Sequence, residues 1–493
     1  MSAFGLLQEL RAFAGDKKTI GLADDVLRSF LDTDDALGEA ITQAYAVHQS
    51  LRADYEGLLS GAESDAIKTL QQDLVNFYPD DCVNPYVAIA ANGPWIVTSH
   101  GAVLHDSGGY GMLGFGHSPA GPIEAMARPW VMANVMSPSF SHIRLTERLK
   151  KEVGHRRGHC PFHQFICMNS GSESVTVAAR FSDINAMHLT APGQRHEGKQ
   201  VKFLALQGAF HGRTDRPAQL SDSSLGKYKK HLYSFNTRSN LVTIPPNDVA
   251  AINEAFENAE REGVFFEAMF LEPVMGEGNP GMATTPEFYA EARRLTAQAG
   301  TLLLIDSIQA GLRAHGMLSI VDYPGFETLD APDMETYSKA LNAGQYPLSV
   351  LALNERTAKM YAKGVYGNTM TCNPRALEVA CTVLDSLTPE VRANISGKGE
   401  EMVQALETLK EELPGTITFV QGTGLLLSAE LDSTKYKVVG FGGVEEYCRL
   451  HGIGVIHGGT NSLRFTPHFG LTTAEIKLIV EVVRNALITL NPE

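Results

Sequence analysis

Basic residues are in short supply: 41 Lys and Arg stand against 56 Asp and Glu, a formal net charge of −15 over 493 residues. A surface of that sign repels a phosphate backbone, which argues against nucleic acid as a partner. Cysteine is scarce too, with six residues scattered at Cys82, Cys160, Cys167, Cys372, Cys381 and Cys448. This spacing suits neither paired zinc ligands nor a small secreted disulfide framework, and it fits a reducing, cytoplasmic location. His159 and His163 lie beside Cys160 and Cys167, but six residues separate those cysteines and no second ligand pair follows, so ordinary packing and no metal is expected. Nowhere do about 18 apolar residues run together, so no membrane-spanning helix is expected. Met1 to Arg11 lacks a basic leader and a small-residue cleavage site, and reads as an amphipathic helix start. Also missing is a Gly-x-Gly-x-x-Gly turn after a first strand, which sets aside a dinucleotide-binding Rossmann protein.

What is present has a clear order. At roughly 100–200 residues per domain, the length predicts two or three packed units. Residues 1–75 repeat apolar positions at helical spacing (Leu6, Leu7, Leu10; Val26, Leu27, Phe30, Leu31; Ile67, Leu70), which predicts an N-terminal helical extension. Short strands are then expected at Pro94 to Val97 and Ala102 to Leu104. Between about 160 and 380, buried-strand candidates alternate with helical stretches: Phe165 to Met168, Val201 to Leu206, Ala268 to Leu271 and Leu302 to Ile305. Such alternation predicts a largely parallel sheet flanked by helices. One helix has legible ends, with Thr285 as cap, Pro286 in the first turn and Gly300 at the left-handed stop. After about 380 a helix pair, strands near Leu425 to Leu431 and Ile453 to Ile456, and a last helix from Thr473 predict a smaller α+β unit.

Polar residues recur at the carboxyl ends of the apolar strands, where open α/β sheets place ligands. Asn169-Ser170-Gly171-Ser172-Glu173-Ser174 is a small-residue turn opening a helix, whose free N–H groups suit a phosphate; alone, an ordinary strand-to-helix turn is the plainer reading. Phe210-His211-Gly212-Arg213-Thr214 follows a strand and offers an aromatic face to a flat ring. Asp306 ends a buried strand and needs a cation or strong donors; a helix cap or loop ion pair is the plainer reading. Lys339 lies among small residues before Asn342-Ala343-Gly344, and a lone lysine there is ordinarily a solvated one.

Together and in this order, these segments resemble the class III (ornithine/4-aminobutyrate/acetylornithine-type) aminotransferases that use pyridoxal 5′-phosphate (PLP). Asn169 to Ser174, Phe210 to Thr214, Glu272 to Glu277, Asp306 to Gln309, Lys339 to Gly344, Thr369 ahead of Asn373-Pro374, and Leu463 to Pro467 each match a family motif. Asp106 and Gly114 to His117 are similar to the entry segment, so the resemblance spans roughly 90–490. It implies the PLP-dependent transferase fold type I: a large domain with a mostly parallel seven-stranded sheet flanked by helices, a smaller α+β domain, and here the N-terminal extension. The implied boundaries are 1–75 for the extension, 76–128 for the first part of the small domain, 129–380 for the PLP-binding domain and 381–493 for the rest of the small domain.

The resemblance implies an amino transfer from an ω-amino or amino-acid donor to a 2-oxo acid such as 2-oxoglutarate or pyruvate, through a Schiff base on Lys339. Lys339 would be the base and acid of the proton shuttle, and Asp306 the partner that keeps the pyridine nitrogen protonated. Ser170, Gly171 and Ser172 would hold the phosphate, Phe210 and His211 the ring face, and Gln309 the phenolic oxygen, with Glu272 among the cofactor contacts. Thr369 would reach the phosphate of a neighbouring subunit, implying a homodimer with shared sites. Arg464 would grip a substrate carboxylate and Glu277 would gate it. Ser307, Met275, Asn342-Ala343 and Thr371-Cys372 depart from the family pattern, all around the substrate pocket. An aminomutase, racemase or decarboxylase would keep the same cofactor contacts, and a non-catalytic PLP or amine sensor is a further alternative.

Overall fold

Seven short strands, most of them apolar on both faces, form the central sheet of the protein, in the order Gln164–Met168, Ser349–Leu353, Met334–Tyr337, Leu302–Asp306, Val264–Leu271, Gln200–Leu206 and Leu241–Ile244. The computed structural model describes residues 1–236 and 240–491. Six strands share one direction and Ser349–Leu353 runs antiparallel to both its neighbours. Burial on both faces explains the continuous apolar runs, because helices cover such a sheet from either side. The expected mostly parallel seven-stranded sheet is therefore present, and the four strands read from the sequence lie in it.

Helix Gly171–Leu189 supplies much of the core on one face: Val175, Ala178, Ala179 and Phe181 pack with Phe203, Phe270, Leu304 and Leu351. Helix Pro286–Ala299 has the ends its sequence announced. Thr285 accepts from the Phe288 N–H at 3.3 Å, and Gly300 sits at φ 76° to stop the helix. This sheet belongs to a compact unit made of Gly121–Ser396 and Gly422–Leu426.

A second unit gathers Met1–Ala120, Gly397–Gln421 and the residues from Leu427 onward. Helices Ala3–Phe13, Asp24–Leu31, Asp35–Ser60 and Glu63–Gln71 make up its N-terminal part. They are pinned to its strands by specific bonds, such as Trp95 Nε1 to Asp34 Oδ2 at 2.6 Å and Asn92 to Glu39 at 2.6 Å. Strands Ala88–Asn92, Trp95–Thr98 and Val103–Asp106 form a sheet completed by Ile453–Gly454, and a second sheet joins Ile417–Thr423, Leu426–Leu431, Ser462–Phe465 and Ile456–Gly458. Among the described residues no helix is long and apolar enough to cross a membrane.

Candidate active site

Helix Gly171–Leu189 opens on a capping box: Ser170 Oγ accepts from the Glu173 N–H at 3.3 Å, while Glu173 Oε2 accepts from the N–H groups of Ser170 and Asn169 at 3.1 and 2.8 Å. With the cap holding the first turn, the N–H groups of Gly171 and Ser172 lie ahead of the first intrahelical bond, at the positive end of the helix dipole. Two close approaches crowd this turn. A Cβ on Gly171 would meet Ile308 Cδ1 at 2.6 Å, and one on Gly212, at φ 118°, would meet Ser172 Oγ at 2.4 Å. Ser172 Oγ in turn accepts from the Arg213 N–H at 3.3 Å, joining this turn to the loop after strand Gln200–Leu206.

That loop carries Phe210, half-buried with the Arg213 guanidinium 5.1 Å from its ring centre, and His211, which is fully buried. His211 Nδ1 lies 2.8 Å from Asp306 Oδ2, and the other carboxylate oxygen accepts from the Ile308 N–H at 3.2 Å. His211 thus aims the Asp306 carboxylate as well as flanking the site. Glu272 accepts from the N–H groups of Phe210 at 3.0 Å and Gly276 at 2.8 Å, tying two site loops together. Burial pushes its carboxyl up to about 7; Asp306 adds to the rise, while His211 and the two N–H donors oppose it.

Lys339 begins a short 3₁₀ turn, Lys339–Asn342, at φ 48°, and its Nζ donates to Gln309 Oε1. Gln309 is itself crowded from below, since a Cβ on Gly276 would meet its Cγ at 2.5 Å. Ser170, Gly171, Ser172, Phe210, His211, Glu272, Asp306, Gln309 and Lys339 therefore form one connected constellation at the carboxyl edge of the sheet. Glu277 is half-buried in the loop after Gly276, and Thr369 is exposed, its carbonyl accepting from the Val135 N–H at 3.2 Å. Arg464 lies in the second unit, buried on strand Ser462–Phe465 with its guanidinium 5.5 Å from the Tyr110 ring centre.

Two features of the site were not read from the sequence. Ile308 forms the floor under Gly171, a contact that only the folded approach of two loops creates. The second is Glu335, a buried carboxylate on strand Met334–Tyr337 that accepts from Ser307 at 2.6 Å, the Ile320 N–H at 3.0 Å, Tyr337 at 3.1 Å and Ser319. Ser307 departs from the family pattern, and it answers to a carboxylate brought in by the neighbouring strand.

The fold and this constellation together define a cofactor-dependent transferase of the α/β class. The chain belongs to the aminotransferase class-III family, whose model matches residues 78–487. It is accordingly a PLP-dependent enzyme that transfers an amino group to a 2-oxo acid. It is similar to the acetylornithine/succinyldiaminopimelate aminotransferase of Yersinia pestis, 28% identical over 402 residues, or 80% of this chain and 90% of that protein. Ornithine aminotransferase from Toxoplasma gondii shares the fold with a TM-score of 0.72 at 21% identity, covering 89% of this chain and 98% of the other. N-acetylornithine aminotransferase from Stenotrophomonas maltophilia superposes at 0.65 with 24% identity, covering 86% and 98%. The site's own atoms fit PLP: two glycines keep the phosphate turn clear, and the buried Gln309 Nε2 and His211 Nε2 have no hydrogen-bond partner among the described residues.

Proposed function

We propose that the chain is an ω-aminotransferase that carries its cofactor on Lys339 and passes the terminal amino group of an ornithine-like or N-acylated ornithine-like donor to 2-oxoglutarate or pyruvate. The observation that carries this reading is the Lys339 Nζ contact to Gln309, three residues after a buried Asp306 that is oriented by His211. When bound, PLP supplies an electron sink for the carbon beside the transferred nitrogen. Ser170, Gly171 and Ser172 would hold its phosphate, Phe210 and Gln309 would contact its ring and phenolic oxygen, and Glu272 braces the Phe210 and Gly276 loops. Asp306 holds the proton on the ring nitrogen. Lys339 Nζ would be the group that takes the proton from the substrate carbon bearing the transferred nitrogen.

Arg464 would bind the acceptor's carboxylate, a task suited to a guanidinium. The names of the relatives support the donor class. Residues 129–380 serve as the cofactor domain, 76–128 and 381–493 as the small domain, and 1–75 as an added helical cover. A homodimer is supported by apolar side chains left exposed on the sheet unit, Val131, Met132, Val135, Met136, Phe140 and Met370, next to Thr369, which would reach the partner's phosphate. The scattered spacing of the six cysteines supports a cytoplasmic location.

The test is a half-reaction followed in the visible spectrum. Ornithine or N-acetylornithine should convert the resting absorption band, and 2-oxoglutarate or pyruvate should restore it with stoichiometric glutamate or alanine. Turnover that needs no oxo acid would instead indicate a mutase, racemase or decarboxylase and overturn the proposal.

A further inference from the structure

We propose that Glu335 is a positioning residue for the amino-transfer site: it clamps both ends of the segment that carries Gln309 and so sets how Gln309 meets Lys339. Glu335 is fully buried on strand Met334–Tyr337, which leads into Lys339. Its Oε1 accepts from Ser307 Oγ at 2.6 Å and from the Ile320 N–H at 3.0 Å, while its Oε2 accepts from the Tyr337 hydroxyl at 3.1 Å and from Ser319 Oγ. A carboxylate offers about four lone-pair positions, and here each has a donor.

Three of these donors stand at the two ends of one excursion of the chain. It leaves strand Leu302–Asp306 at Ser307, runs past Ile308 under Gly171 and past Gln309, the acceptor of Lys339 Nζ, and comes back at Ser319 and Ile320. Within it Leu312 is held at φ 66°, a left-handed backbone that a leucine adopts only under constraint. The segment therefore needs outside support to keep this path, and Glu335 supplies it at both ends. Tyr337, on the strand entering Lys339, is bonded to the same carboxylate. The Gln309 segment and the Lys339 strand are thus registered to one point.

Packing alone does not call for a carboxyl group here. An apolar side chain would fill the same place without the cost of burying a carboxylate, so the four bonds mark a demand for position. Ser307 and Glu335 face each other from neighbouring strands, with the hydroxyl 2.6 Å from the carboxylate. A glutamate at 307 opposite an apolar 335 would therefore bring a carboxylate to nearly the same point from the other side. Removing the carboxylate outright leaves buried donors at Ser307, Ser319, Ile320 and Tyr337 to find new partners, and the Gln309 amide loses its fixed distance to Lys339 Nζ.

The test compares full-length holoenzymes by steady-state kinetics and by the pH midpoint of the visible band of the Lys339-bound cofactor. In Glu335→Leu, kcat should fall at least about tenfold with the oxo-acid KM within about twofold of wild type, and the midpoint should move by at least about half a pH unit. Glu335→Gln, closer in shape, should move both readouts in the same direction and carries the test if the leucine variant does not fold. The double variant Ser307→Glu, Glu335→Leu should recover kcat to within about threefold of wild type and restore the midpoint. Three results would each overturn the proposal: both single variants matching wild type in kcat and midpoint, losses that only track the unfolded fraction in a thermal melt, or a double variant no better than Glu335→Leu. The inference rests on Lys339 carrying the cofactor. A wild type without that band would sink the cofactor reading itself, whereas an unmoved midpoint beside a normal wild-type band would sink only the role given to Glu335.

Discussion

Lys339 occupies a backbone conformation that a side-chain-bearing residue adopts only when its surroundings insist, with φ at 48°. The 3₁₀ turn behind it and the contact to Gln309 supply that insistence, and they fix where its amine points. Lys339→Ala should lower turnover by at least about 10³-fold, and borohydride reduction followed by peptide mapping should find the pyridoxyl group at Lys339 only in the wild type. Asp306→Asn should keep the fold but lose the charge that holds a ring proton. Its activity should fall far below that of His211→Asn, which only loosens the carboxylate's aim; comparable losses in kcat would argue against this division of roles. Glu335 yields a pH prediction. Burial pushes its carboxyl up to about 7, against the opposing hydrogen bonds from Ser307 and Ser319. Its unfolded value is about 4.3, so the folded state binds the proton more tightly, and stability falls as pH rises from about 4.3 to about 7. Thermal melts at about pH 5 and about pH 8 should differ less for Glu335→Gln than for wild type, and an undiminished difference would show that another group sets the slope. Asp306 and Lys339 could be picked out in the sequence because their order along the chain matched a family. Glu335 could not, because beyond Tyr337 on its own strand its donors, Ser307 and the Ser319–Ile320 turn, are brought to it only by folding.

At the scale of elements, the phosphate turn depends on a helix start and on two missing side chains. Ser170→Ala should cost about 1 kcal/mol in stability, measured by denaturant unfolding, since Glu173 would lose its reciprocal cap. Gly212→Ala should be worse for function than for folding: its Cβ would strike Ser172 Oγ at 2.4 Å, so cofactor retention on dialysis should drop sharply. Strands rich in Leu, Ile and Phe were readable as apolar runs, and helix Pro286–Ala299 was readable from its caps. Strand Met334–Tyr337 was not read, since Glu335 and Thr336 interrupt its apolar pattern yet are buried. Leu241–Ile244 and Ser349–Leu353 were missed too, although Pro245-Pro246 after the one and Pro347 before the other are turn signals. The αL backbone at Ala343 and Cys372 also escaped notice. Both stand where the family pattern has glycine, and the structure keeps a glycine-like conformation there, with φ at 51° and 57°.

For the whole molecule, the exposed Met132, Met136 and Phe140 are 77%, 78% and 81% accessible, more than isolated apolar side chains need to be. If they form a subunit interface, replacing Met132 and Phe140 by Asp should give monomers in sedimentation velocity and abolish activity at any concentration where the wild type is dimeric. A variant that stays dimeric would remove this face from the assembly. The N-terminal helices could be read as helices, but their attachment could not, because bonds such as Trp95 to Asp34 join residues whose separation hides the pairing. The pairing of the first strands with the last ones carries a consequence for biosynthesis. Strand Val103–Asp106 pairs with Ile453–Gly454, and Ser107 donates to the Gly454 carbonyl at 2.7 Å, so the first-made portion of the polypeptide waits for the last. At a translation rate of about 5–20 residues per second, a sheet edge stays unpaired on the ribosome for roughly twenty seconds to a minute. During that interval it is a natural client for a chaperone that shields nascent chains.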